Sequence, residues 1–232
     1  MSLMKKIDSE LKKNIDVKHL AKWGHNKSGA QVWLGVKTPI TRKISSKYFN
    51  EAKTLKKKEI IKICEKLLDY RLGEYKTIAF DWHFRLKDQY EVSDFKILES
   101  WVTNRITDWS DCDDLCTHAV GEFLIQFPNK LPRVIGWAKS KNWVVRRAAA
   151  VALIYPLRKG LYIDEAIKTA SVLLFDRHDL VNKGYGWMLK EASRNFEKDV
   201  LEFILKNKKN MSRVSLRYAI EKMSKAIKAK AM

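Results

Sequence analysis

One property limits the folds open to this chain more than any other. Apolar residues recur at helical spacing in segment after segment, and the links between segments are short. Trp143 to Leu157 is the most regular stretch, with Val145, Ala148, Ala149 and Ala152 on a narrow face of small residues that permits close helix contact. Leu55 to Tyr70 keeps the 3.6 period through Ile60, Cys64, Leu67 and Leu68, with Lys53, Lys56, Lys57 and Lys58 at its start. Such lysines bind phosphate or simply form a solvated face. Further segments run over 74–90, 94–106, 110–127, 131–139, 164–174, 179–193, 197–206 and 212–229. Lys5 to Leu20 supports a short helix or two, and in the 31–44 stretch Gly35 interrupts an apolar run before Thr38-Pro39 reads as an N-cap and a first-turn proline. With only nine glycines and four prolines in 232 residues, strand-and-turn architectures are disfavoured.

Successive amphipathic helices grouped in pairs of about 35 to 45 residues are the pattern of an α-solenoid built from HEAT-like helical repeats. The expected fold is therefore all-α, with a concave basic face, and a compact bundle is the alternative. No linker or shift in composition divides the chain, so residues 4–232 read as a single domain. Met1 to Leu3, ahead of a second methionine at Met4, read as an added start.

Charge narrows the partner. Lys and Arg number 46 against 27 Asp and Glu, for a formal charge of +19, the electrostatic signature of a protein that meets a polyanion. Nucleic acid leads, because no run of about 18 apolar residues suggests a membrane span. The three cysteines (Cys64, Cys112, Cys116) are too few and too oddly numbered for a disulfide framework, and Cys112-x-x-x-Cys116 with His118 lacks the second ligand cluster a zinc site needs. Thiols packed between helices are expected, in a cytoplasmic, nucleoid-associated monomer.

Against this basic background, Asp108 to His118 stands out. It places Asp108, Asp111, Asp113 and Asp114 around Trp109. In a helix, Trp109, Asp113 and Cys116 follow at i, i+4 and i+7, so an indole and a carboxylate share one face. The plainer reading is that Ser110-x-x-Asp113 forms a capping box and Asp113 only steadies a helix N-terminus. His118 reads as a packed or capping histidine.

Four segments in order, Gly-Val-Lys-Thr-Pro at 35–39, Asp-Trp-Ser-Asp-Cys-Asp at 108–113, Trp-Val-Val-Arg-Arg-Ala-Ala at 143–149 and Lys-Gly-Tyr-Gly-Trp-Met-Leu-Lys-Glu at 183–191, carry a resemblance. Together they resemble the AlkD-like DNA alkylation repair family of HEAT-repeat DNA glycosylases, from about residue 30 onward. The resemblance implies that Trp109 and Trp187 frame the lesion-bearing nucleotide and that Asp113 is the catalytic carboxylate. It implies that Arg146 holds the DNA backbone near the lesion, with Arg147 beside it able to exchange roles. Lys37, Arg42 and Lys183 are expected to contact DNA as well. The chain departs from the pattern in its additional acids, Asp111 and Asp114, which would raise the local negative potential.

The chemistry fits that assignment. A purine alkylated at N3 or N7 is already cationic, so its glycosidic bond is weak and positive charge develops on the sugar. A fixed carboxylate stabilises that charge and orients water, and each indole face favours a cation by about 0.5–2 kcal/mol. Neither metal nor cofactor is called for. The expected activity is a DNA glycosylase acting on cationic N3- and N7-alkylpurines in duplex DNA, from the backbone side. The alternatives are a non-catalytic module for damaged or branched DNA and a scaffold for an acidic protein. Trp109, Trp143 and Trp187 all have a core reading, which is preferred for Trp143, and Arg146, Arg147 and Lys183 have one as solvated surface charges.

Overall fold

The computed structural model describes residues 2–23 and 32–231; Gln31, where the 31–44 stretch begins, lies outside them, as do Met1 and Met232. The first helices are α1 (Leu3–Lys13), α2 (Val17–Trp23), α3 (Thr38–Ala52), α4 (Lys57–Asp69), α5 (Gly73–Arg85) and α6 (Phe95–Asn104). There follow α7 (Trp109–Leu115), α8 (Gly121–Gln126), α9 (Leu131–Gly136), α10 (Trp143–Val151) and α11 (Ile154–Arg158). The chain continues through α12 (Ile163–Leu173), α13 (Asp179–Ala192), α14 (Glu197–Asn207), α15 (Arg213–Ala219) and α16 (Lys225–Ala231). Among the described residues extended pairing is limited to one isolated bridge, Val32 with Leu72.

Six of these helices form an inner layer in which each packs on the next: α3 on α5, α5 on α7, α7 on α10, α10 on α13 and α13 on α15. They begin at residues 38, 73, 109, 143, 179 and 213, a spacing of 34 to 36 residues. A second set of helices packs against this stack, with α4 on α5, α6 and α9 on α10, and α12 on α13. This is an all-α, solenoid-like fold, with the repeat at the short end of the expected range.

The core runs along the interface of the two layers. Trp82, Trp101, Tyr75, Tyr185, Phe80 and Phe123 are its largest buried side chains. Helix α5 is buried on nearly every side, from Gly73 through Phe80 and again at Trp82 and His83, as a helix enclosed by neighbours in both layers must be. The segment before α3 is fastened to it by Glu74, fully buried, whose carboxylate accepts from the amides of Leu34, Gly35 and Val36 at 2.8, 2.9 and 2.9 Å. Gly35 turns there with φ of +105°, a left-handed conformation that only glycine adopts readily.

Several helix boundaries differ from expectation. Trp143–Leu157 is two helices, α10 and α11, parted at Ala152–Leu153. Pro156 cannot donate to the carbonyl four residues back, and its ring crowds that carbonyl, so the α-helical ladder stops. Residues 212–229 likewise divide into α15 and α16; Ile220 and Met223 turn into the core, and Ser224 Oγ accepts from the Ile227 amide to start a new helix. Thr38 is the first residue of α3, and Lys37 is its N-cap, with no side-chain capping bond. The acid-rich helix does run unbroken toward Pro128, but α7 and α8 are joined by a π-helical turn over Cys116–Val120. Lys57 does not present its charge for phosphate: its Nζ meets Asp94 at 2.5 Å and the Gln89 carbonyl at 2.6 Å.

Candidate active site

Each acid of the 108–118 cluster takes a different partner. Asp108 is the N-cap residue of α7, and its carbonyl accepts from the Cys112 amide at 3.1 Å. Asp111 is buried and meets Lys76 at 2.6 Å across the α5–α7 contact; burial pushes its carboxyl up, against the opposing pull of Lys76. Asp114 binds Arg42 at 2.5 Å. Both additional acids are therefore locally neutralised. Because α7 starts at Trp109, Ser110 falls too far into the helix to cap it, and the capping-box reading of Ser110 and Asp113 does not hold.

Asp113 faces α10. Arg147 donates to it twice, Nε to Oδ1 and Nη2 to Oδ2, each at 2.9 Å, and sends Nη1 to the Leu180 carbonyl at the start of α13. A guanidinium this deeply buried has to be paired, and a two-pronged carboxylate contact is its strongest pairing. Arg147 reaches Asp113 by crossing Gly184, where an added Cβ would sit 3.1 Å from the Arg147 Cγ and 3.3 Å from Nη1. The glycine of the 183–191 motif thus provides passage for the arginine. The Asp113 side chain remains 21% exposed, enough for one oxygen edge to face solvent. Burial pushes its carboxyl up to about 6, although Arg147 pulls the other way; Asp108 and Asp114 add to the rise.

The open edge faces a cleft of about 440 Å³ lined by Trp109, Asp113, Arg147, Leu180, Lys183, Trp187, Lys190 and Tyr218. Trp109, in the first turn of α7, is 45% exposed at its rim. Trp187 is half-buried, and its indole N–H donates to Glu191 at 3.3 Å. Glu191 is itself held by Arg158 and Arg194, each at 3.0 Å. Burial works against its ionisation, but the Arg158 hydrogen bond and the two guanidinium charges outweigh it and keep the carboxyl below its usual range. Lys190 lies over the Tyr218 ring at 5.6 Å and pairs with Glu221 at 3.2 Å. The cleft thus sets one carboxylate between two indoles, inside a rim of lysines, an arrangement that favours a cation placed against the carboxylate.

The structure brings together Trp109, Asp113, Arg147, Lys183 and Trp187. It does not bring Arg146 to them. Arg146, about 100° around α10 from Arg147, turns instead to the neighbouring loops, where it holds Asp176 at 2.5 Å and the carbonyls of Ser140 and Lys141 at 2.9 and 3.0 Å. Of the two adjacent arginines, Arg147 is the one at Asp113. Lys37 and Arg42 lie on α3 and its cap, outside the cleft; Lys37 pairs with Asp16 at 2.8 Å. Lys183 lines the cleft while paired to Asp179 at 2.6 Å, one turn back. Trp143 stacks on His178 with 4.3 Å between ring centroids and packs on the core, in keeping with its core reading. Leu180, Lys190 and Tyr218 join the site without having been singled out by sequence. Lys190 lay within the 183–191 motif, whereas Tyr218 arrives because α15 packs against Gly186.

The cysteines are buried thiols, as expected, and His118 donates from Nδ1 to the Asp114 carbonyl at 2.8 Å, packed against Phe84. Among the described residues no group of three or more His, Cys, Asp or Glu side chains gathers to hold a metal, and no helix is long and apolar enough to cross a membrane.

Fold and cleft together define an all-α, solenoid-like protein whose strongly basic chain closes around a single open carboxylate. Sequence comparison narrows this class. The model of the DNA alkylation repair enzyme family matches residues 7–223, and the chain belongs to that family. Among solved structures it is similar to a predicted DNA alkylation repair enzyme from Enterococcus faecalis, with a TM-score of 0.81 over 91% of this chain and 98% of that one. At 17% identity that likeness speaks to the fold. No curated protein matches at a significant level.

Proposed function

We propose that this chain is a DNA glycosylase that hydrolyses the N-glycosidic bond of positively charged N3- and N7-alkylpurines in duplex DNA. The observation that carries the reading is the Asp113 carboxylate, clamped on one side by Arg147 and open on the other toward a cleft that contains Trp109 and Trp187. As the bond from C1′ to the base nitrogen breaks, its electron pair neutralises the alkylated base, which leaves without needing a proton. The deoxyribose becomes cationic, and Asp113 stabilises it at close range while the indole faces flank it. Water then adds to C1′ and gives its proton to Asp113 or to solvent. Arg147 acts through Asp113, fixing the direction of the free oxygen edge. The open cleft suits approach from the sugar-phosphate side, so selection rests on lesion charge and bond lability.

In this reading residues 4–232 act as one unit, a monomer on duplex DNA in the cytoplasm. The decisive experiment incubates methylated duplex DNA with the wild type and with Asp113→Asn, and measures released 7-methylguanine and 3-methyladenine. Release by the wild type and loss in the variant, with DNA binding retained, supports catalysis. Binding without release by the wild type leaves a non-catalytic DNA module instead.

A further inference from the structure

The cations that sequence pointed toward DNA are engaged elsewhere: Lys37 with Asp16, Arg42 with Asp114, Arg146 with Asp176, Arg147 with Asp113 and Lys183 with Asp179. The loops that lead into α10 and α13 are different. Lys139, Lys141 and Arg177 are exposed there, and none has a carboxylate partner within 4 Å among the described residues. Between them Phe175 projects with 71% of its surface exposed, more than any other aromatic ring among the described residues.

These two loops form one braced piece. Arg146 binds the carbonyls of Ser140 and Lys141 in the first loop and Asp176 in the second. Trp143 and His178 stack across the same junction, 6° from parallel. Asp176 also accepts from the His178 amide at 2.8 Å, and the Asp176 carbonyl accepts from Asn182 at 2.9 Å. A phenylalanine 71% exposed on a loop held by this many bonds is a fixed apolar tip flanked by unpaired cations. The piece adjoins the cleft directly, since Arg147 follows Arg146 and Leu180 follows the second loop, and both line it.

We propose that residues 139–142 and 174–178 form a lip that grips duplex DNA beside the cleft, with Lys139, Lys141 and Arg177 on phosphates and Phe175 pressed against a base step. Unpaired cations match the phosphate backbone in charge, and a rigid apolar side chain between such cations is the device by which proteins unstack a base step and hold it bent. The lip makes Arg146 a positioning residue, acting on DNA only through the loops it joins. The proposal rests on the DNA reading above and adds to it a means of holding a distorted duplex without a pocket for the base.

The test measures binding of a duplex that carries a tetrahydrofuran abasic site and a flanking 2-aminopurine, for the wild type, Phe175→Ala and the double variant Lys141→Ala/Arg177→Ala. Phe175→Ala is expected to bind about tenfold more weakly and to lose the rise in 2-aminopurine emission that marks unstacking. The double variant is expected to lower the slope of log affinity against log salt by about 2. Thermal melts of both should match the wild type, because all three side chains are exposed. Variants that bind with wild-type affinity and slope overturn the lip while leaving the glycosylase reading intact. A wild type that binds no duplex overturns both.

Discussion

Asp113 and Arg147 form a pair in which each side chain restricts what the other can do. The carboxyl titrates near pH 6 because burial outweighs the guanidinium, and only the ionised form stabilises a cationic sugar. Base-release kcat/KM should therefore climb as pH rises through about 6 and level off above it, and Asp113→Asn should lower release about 10²–10⁴-fold. Gly184→Ala tests the arginine's route. Its Cβ would press on Arg147 at 3.1 Å, a shift of a few tenths of an ångström that is passed on to Asp113. About tenfold slower release is expected, with a melting temperature close to the wild type. This level of detail was partly legible in the sequence. The four-residue spacing put Trp109 and Asp113 on one face, but Arg146 and Arg147 could not be told apart. Helix α10 is buried from Val144 to Val151 except at Arg146, so it lacks the broad polar face by which a sequence reveals helical phase.

At the scale of elements, the long-period contacts were the hidden part. Lys76 with Asp111, Arg147 with Asp113 and Arg105 with Asp69 join residues about one repeat apart, and nothing local in a sequence announces such a pair. Helix existence was legible almost throughout, because 3.6-residue periodicity is a local signal. Boundaries failed where a single residue decided them, at Pro156 and Ser224. The α13–α15 contact shows how closely two elements can depend on one glycine: a Cβ at Gly186 would lie 2.8 Å from the Ser215 carbonyl oxygen and 2.8 Å from the Tyr218 Cβ. Gly186→Ala should accordingly force α15 away and cost about 1–3 kcal/mol, read as a lower urea midpoint. It should also displace Tyr218 from the cleft.

For the whole molecule, stacking each inner helix only on its neighbours means that stability is shared along a line. The ends have one neighbour and the middle has two. Helix α2 buries no residue and α16 only Ala231, whereas α5, α10 and α13 bury most of theirs. Hydrogen exchange should be fastest in α2 and α16 and slowest in α5, α10 and α13; uniform protection would contradict a repeat-by-repeat assembly. Arg147 has a particular place in this line, because it belongs to α10, grips Asp113 on α7 and holds the Leu180 carbonyl at the head of α13. In mechanical terms it is a tie rod through three consecutive repeats. Any load that pries the C-terminal repeats away from the N-terminal ones is carried by the same guanidinium that aims the carboxylate, so the stiffness of the frame and the alignment of Asp113 share a single joint.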